Sequence, residues 1–175
     1  MALKRGIVKL ENYQNNWVKE YEEEAKTIQK LLGSGVLEIH HIGSTSIPGL
    51  EAKPIIDMLL VIKNFDEIDE IDEILNPYAY ENRGMQGVSD RYFFAKGPDD
   101  ARTHYLHITT PFSDTYYNQI YFKKYLLGHP EYIQKYAELK KDLARQFKDE
   151  RAKYTAEKSA FIQEVVHLAK KEYLK

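Results

Sequence analysis

The sequence predicts an α+β protein: a small mixed β-sheet with flanking helices and a C-terminal helical extension that closes one side of a cleft. Short apolar runs at 36–42, 55–62, 92–95 and 104–109 are separated by turn signals and all lie before residue 110. The run at 55–62 is almost unbroken, the pattern of a central strand covered on both faces. From residue 113 onward, apolar residues recur at helical spacing instead.

Taken in order, residues 7–10 read as a short edge strand or an arm. Over 17–32, Trp17, Tyr21, Ala25, Ile28 and Leu32 share one stripe, which marks an amphipathic helix stopped by Gly33-Ser34-Gly35. The strand at 36–42 runs into the turn Gly43-Ser44-Thr45-Ser46, and the strand at 55–62 follows. Residues 66–75 are acidic with Ile68, Ile71 and Leu75 turned inward, a helix ending near Pro77. A loop at 84–90, an aromatic strand at 92–95, a turn at 96–100 and a last strand at 104–109 complete an α/β core at 1–112.

Three packed helices then occupy 113–175 of what reads as one domain. The first covers 115–127, the second is opened by His129-Pro130, and Thr155 caps the third. The second places Ile133, Tyr136, Ala137, Lys140, Leu143, Ala144 and Phe147 on one face, and the third Phe161, Ile162, Val165, Val166 and Ala169.

Composition narrows the function. The 175 residues suffice to bury a real core, and 25 Lys and Arg against 27 Asp and Glu exert no pull toward nucleic acid or membrane. The absence of cysteine excludes disulfides, thiolate chemistry and a cysteine-built zinc site. No apolar segment is long enough for export or for a bilayer span, so the expected location is cytoplasmic. Fourteen Tyr against seven Phe is an unusual balance, explained by tyrosines on half-buried helix faces. Tyr121, Lys123, Lys124 and Tyr125, with Lys140, Lys141 and Arg145 further on, read the same way, tyrosines buried and lysines on the wet face. Nucleic acid is therefore not an expected partner.

Chemistry concentrates at His41-Ile42-Gly43-Ser44-Thr45-Ser46 and Lys53-Pro54-Ile55-Ile56-Asp57. Small residues with free backbone N–H groups and hydroxyls can wrap a phosphate. Equally, they can bond their own backbone in a tight turn. Asp57 raises the first reading, because a carboxylate near the start of an apolar strand must be hydrated, paired or metal-bound. Alternation puts Leu59 on the same face, however, where a two-metal site needs a second carboxylate.

His104 and His107 fall on opposite faces of their strand; His107 is the site candidate, since His104 shares its face with Leu106 and Ile108. His41 either reaches the same mouth or buttresses the turn. Lys53, Arg102 and Lys158 are the candidate cations; a lysine at 158 either snorkels past the core or points into a pocket.

These residues resemble the GrpB-like family, whose fold is related to the nucleotidyltransferases. The likeness runs through Asn16-Trp17, residues 41–50, 52–57, 102–104 and 106–108, 122–126, 129–131, 136–140, Tyr154 and Lys158. It implies a nucleotidyltransferase-like sheet and a Gly-Ser motif at Gly43-Ser44 for the phosphates. It also implies an aspartate pair, of which Asp57 is the first and Leu59 replaces the second. The place of the third carboxylate falls to His107.

The implied reaction is transfer of a nucleoside monophosphate from a nucleoside triphosphate to a small acceptor. Asp57 and His107 would hold Mg²⁺ or Mn²⁺, Gly43, Ser44, Thr45 and Ser46 would bind phosphate, and Lys53, Arg102 and Lys158 would compensate charge. The alternative, favoured by Leu59, is a non-catalytic binder of a nucleotide or phosphometabolite.

Overall fold

The computed structural model describes residues 8–175. The sheet orders its five strands β1-β2-β5-β4-β3, where β1 is Glu38–Ile42, β2 Ile56–Val61, β3 Tyr80–Asn82, β4 Arg91–Lys96 and β5 His104–Thr109. Only β2 and β5 run parallel; the other pairings are antiparallel, so the sheet is mixed. The end of β1 and the starts of β2 and β5 therefore share one edge, and the candidate residues meet there.

Strand alternation separates two faces. Ile56, Met58, Leu60, Leu106, Ile108 and Phe94 pack beneath α1 (Asn16–Leu32) and α2 (Ile68–Leu75). Asp57, Leu59, Tyr105, His107, Arg91 and Phe93 take the opposite face by register. There α3 (Asp114–Gly128), α4 (Pro130–Gln146) and α5 (Arg151–Tyr173) form a second core with Ile47 and Leu50 around Phe122, Tyr136, Val165 and Ala169. Ser113 caps α3 by accepting from the Tyr116 N–H at 3.0 Å, and Pro130 opens α4. Among the described residues no helix is long and apolar enough to cross a membrane.

The expected elements stand, with differences at β3 and at the start of α5. Residue 7 lies outside the described residues; from Val8 the chain is an arm, its N–H bonded to the Lys148 carbonyl, with one isolated bridge between Glu11 and Ala52. Strand β3 was not foreseen, because Tyr80-Glu81-Asn82 is too short to show alternation. Glu24, on the buried stripe of α1, is held by Lys96 at 2.8 Å and by the Tyr80 hydroxyl at 2.7 Å. Finally α5 begins at Arg151, so Thr155 lies within the helix and caps nothing; Arg151 and Tyr154 occupy its first turn.

Candidate functional site

Gly43 sits at φ 70°, ψ −173°, a conformation essentially reserved for glycine. A Cβ there would stand 2.8 Å from Asp57 Oδ2 and 3.0 Å from Asp57 Cβ, so the turn backbone lies directly against the carboxylate. Register explains the approach: Ile42, the last residue of β1, pairs with Asp57 near the start of β2. Ser46 folds the turn on itself, its hydroxyl donating to the Gly43 carbonyl at 2.7 Å. His41 Nε2 lies 2.9 Å from Thr45 Oγ1, and its ring stacks on Tyr21. Burial, aided by the Lys123 charge, lowers the His41 pKa to about 4, so it is a neutral buttress of the turn.

Asp57 faces a cavity of about 1000 Å³ between the sheet and the helices after residue 113. Its Oδ1 lies 3.4 Å from His107 Nε2. Burial opposes its charge, but the His107 hydrogen bond and the positive charges of His107, Lys53 and Lys158 outweigh burial and hold its pKa below the ordinary value. His107 Nδ1 in turn lies 3.4 Å from Arg91 Nη1, and Phe93 packs against both His107 and Tyr105. Leu59, opposite His107 in register, is fully buried with Ile42, Val61, Tyr116 and Ile120.

Positive charge gathers on the other wall. The ammonium groups of Lys53 and Lys158 stand 5.8 and 4.7 Å from the Tyr154 ring centroid. Lys140 donates to the Glu51 carbonyl and lies 5.1 Å from the Tyr136 ring, while Arg151 lies 6.0 Å from Tyr105. Burial first, then repulsion from Lys158 and Arg151, lowers the Lys53 pKa to about 7. Lys158 falls to about 8, again mainly through burial, with Asp57 offsetting part of the loss. Lys140 is pushed well down by burial and by the other two lysines. Four buried polar atoms on cavity-lining residues lack a hydrogen-bond partner among the described residues: Arg91 Nε, Asn118 Oδ1, Arg151 Nη2 and the Tyr154 hydroxyl.

Gly43, Ser44, Thr45, Lys53, Asp57, His107 and Lys158 thus line one cavity. Two expected residues do not. Ser46 is spent on the turn itself. Arg102 is a correction: its guanidinium donates to Glu81 at 2.7 Å, to Asp99 and to the Gly97 carbonyl, pinning the β4–β5 connection, and none of it lines the cavity. Lys140 is another, since it is buried rather than on the wet face. Its place on the apolar stripe of the second predicted helix was the signal that could have found it. Arg151 and Arg91 carried no such signal.

The expected Mg²⁺ or Mn²⁺ does not fit these residues. Among the described residues no three His, Asp or Glu side chains are placed to hold an ion together. Asp57 and His107 face each other as a pair, the second carboxylate position is a core leucine, and the Asp57 charge already faces Lys53 and Lys158.

The fold resembles that of solved nucleotidyltransferases. The Cid1 poly(U) polymerase bound to MgATP superposes with a TM-score of 0.55 at 13% identity, over 77% of this chain and 44% of that one, a likeness of fold alone. The chain belongs to the GrpB family, whose model matches residues 7–168. The conserved protein GrpB from Enterococcus faecalis superposes with a TM-score of 0.89 at 36% identity, covering 95% of this chain and all of that one. The glutamate-rich protein GrpB of Alkalihalophilus pseudofirmus is 30% identical over 95% of this chain and 98% of its own length. The UPF0157 protein YqkA of Bacillus subtilis is 35% identical over 91% of this chain but only 46% of its own, so the chain spans about half of that relative.

Proposed function

We propose that the cleft binds a nucleoside triphosphate or another phosphorylated small molecule. One observation carries the reading: the Gly43-Ser44 turn, pressed against Asp57, faces two lysines gathered over Tyr154 that have no ion-pair partner among the described residues. Ammonium groups crowded in this way are costly to keep charged, and a ligand with several negative charges relieves burial and mutual repulsion together. The Gly43 and Ser44 N–H groups and the Ser44 hydroxyl then donate to phosphate oxygens. Titration calorimetry with ATP, GTP, CTP and UTP tests this. Binding of a triphosphate that is lost in Lys53→Ala supports it, and no binding of any of the four overturns it.

The Asp57–His107 pair favours a second reading, nucleotidyl transfer to a small acceptor. Such a pair can take the proton of an acceptor hydroxyl as its oxygen bonds the α-phosphorus and pyrophosphate departs. Pyrophosphate release that requires an acceptor and disappears in His107→Ala decides for transfer. Tight binding without turnover across an acceptor panel decides for a binding protein.

A further inference from the structure

The cleft departs from the charge pattern of a metal-dependent phosphoryl-transfer site. In such sites divalent ions held by carboxylates bridge and neutralise the phosphates. Here Asp57 faces the cleft from β2 while Asp149 and Glu150 line it from the segment before α5, and Leu59, two residues after Asp57, belongs to an apolar cluster beneath α3. A divalent ion beside Asp57 would carry its charge into a space that already holds Lys53 and Lys158, and Coulomb repulsion in a partly desolvated cleft is strong. Of the cationic residues that line the cleft, Lys53 arrives from the connection before β2, and Arg151 and Lys158 from the N-terminal part of α5.

Two buried donors in the first turn of α5 are also unmatched. Among the described residues Arg151 Nη2 and the Tyr154 hydroxyl have no hydrogen-bond partner, although such groups are costly to leave unpaired. Both belong to residues that line the cavity beside the lysines.

We infer that the cleft takes its phosphorylated ligand as the free polyanion, with Lys53, Lys158 and Arg151 supplying the positive charge that a divalent cation supplies elsewhere. The inference rests on the phosphate-binding reading above and names how that site handles charge. Lys140 adds to the field from α4 while its own ammonium stays on the Glu51 carbonyl.

The test is calorimetric titration of the whole chain with tripolyphosphate and with ATP, each in EDTA and in excess Mg²⁺. Both anions bind in EDTA at least as tightly as in Mg²⁺, because Mg²⁺ competes with the lysines for the phosphates. Lys158→Met, which keeps the apolar stem, and Arg151→Met each weaken tripolyphosphate in EDTA by about 10–100-fold, the loss of one charge-assisted contact. Circular dichroism and melting temperature confirm that both variants are folded. Binding that appears only with Mg²⁺ overturns the inference and leaves the phosphate reading standing. Binding in EDTA that both variants retain overturns the assignment of Lys158 and Arg151. No binding of either anion in either condition overturns the phosphate reading and the inference together.

Discussion

Replacing Gly43 with alanine meets two separate obstacles. The first is the backbone: φ 70° with ψ −173° is strained for any residue bearing a Cβ, at about 1–3 kcal/mol. The second is Asp57, whose Oδ2 and Cβ would lie 2.8 and 3.0 Å from the new methyl group. The Asp57 Cβ is fixed to a central strand and cannot swing away, so relief requires β1 and β2 to part, at roughly another 1–3 kcal/mol. Together the cost is roughly 2–6 kcal/mol, a fall in melting temperature of roughly 5–20 °C for a chain of this size. Gly49→Ala is the control, since Gly49 has φ 82° but nothing within 4 Å of its Cβ position, leaving only a backbone cost of about 1–2 kcal/mol. Thermal and urea unfolding of the two variants side by side separates strain from collision. A Gly43→Ala protein no less stable than Gly49→Ala would refute the close packing of turn and carboxylate. Any folded Gly43→Ala protein also loses tripolyphosphate affinity, because a shifted turn displaces the N–H groups proposed to hold the phosphates.

Three further outcomes follow from the same geometry. In the free protein Lys53 titrates near 7 and Lys158 near 8 among Asp57, His107, Lys140, Arg151 and Tyr154, and a bound polyanion returns both to the charged form. Anion affinity therefore falls as pH rises through 7 and 8, with proton uptake visible as a buffer-dependent calorimetric heat; a flat profile refutes it. Because these lysine values are lowered on folding, the free protein gains stability as pH rises from about 7 toward the ordinary 10.5. Glu24→Ala strands Lys96 and the Tyr80 hydroxyl and costs about 2–4 kcal/mol in urea unfolding. Burial opposes the Glu24 charge, but Lys96 and Tyr80 outweigh it and lower its pKa, so this contribution is complete above 4.5 and is lost as pH falls below it. Leu59→Asp places a carboxylate in a fully buried apolar cluster and costs more than about 4 kcal/mol, without creating Mg²⁺ binding that isothermal calorimetry detects.

Periodicity carried most of the secondary structure, because burying one face imposes a period of two on strands and near 3.6 on helices. Ile56–Val61 and the stripe of Ile68, Ile71 and Leu75 were legible for that reason. So was the division of His104 from His107, which alternation sends to opposite faces. The nearness of Gly43 to Asp57 followed from two adjacent strands whose ends meet across a short connection. The start of α5 was not legible: Arg151-Ala152-Lys153-Tyr154 has no apolar rhythm, and that helix is entered without a side-chain cap. Arg102 was misread because it precedes a candidate strand, whereas its charge is taken up by Glu81 on β3 and by Asp99 in its own β4–β5 connection.

By itself the sequence determined most of the elements, most of the faces they bury, and the Gly-Ser turn followed by a carboxylate on a central strand. Local spacing is enough for each of these. Only the tertiary structure decided the electrostatics of the cleft, because Lys53, Lys140, Arg151 and Lys158 lie far apart along the chain and meet only when α4 and α5 fold back over the sheet. Charge acts through space at a few ångströms, and helical periodicity records which way a side chain faces but not which distant strand it will face.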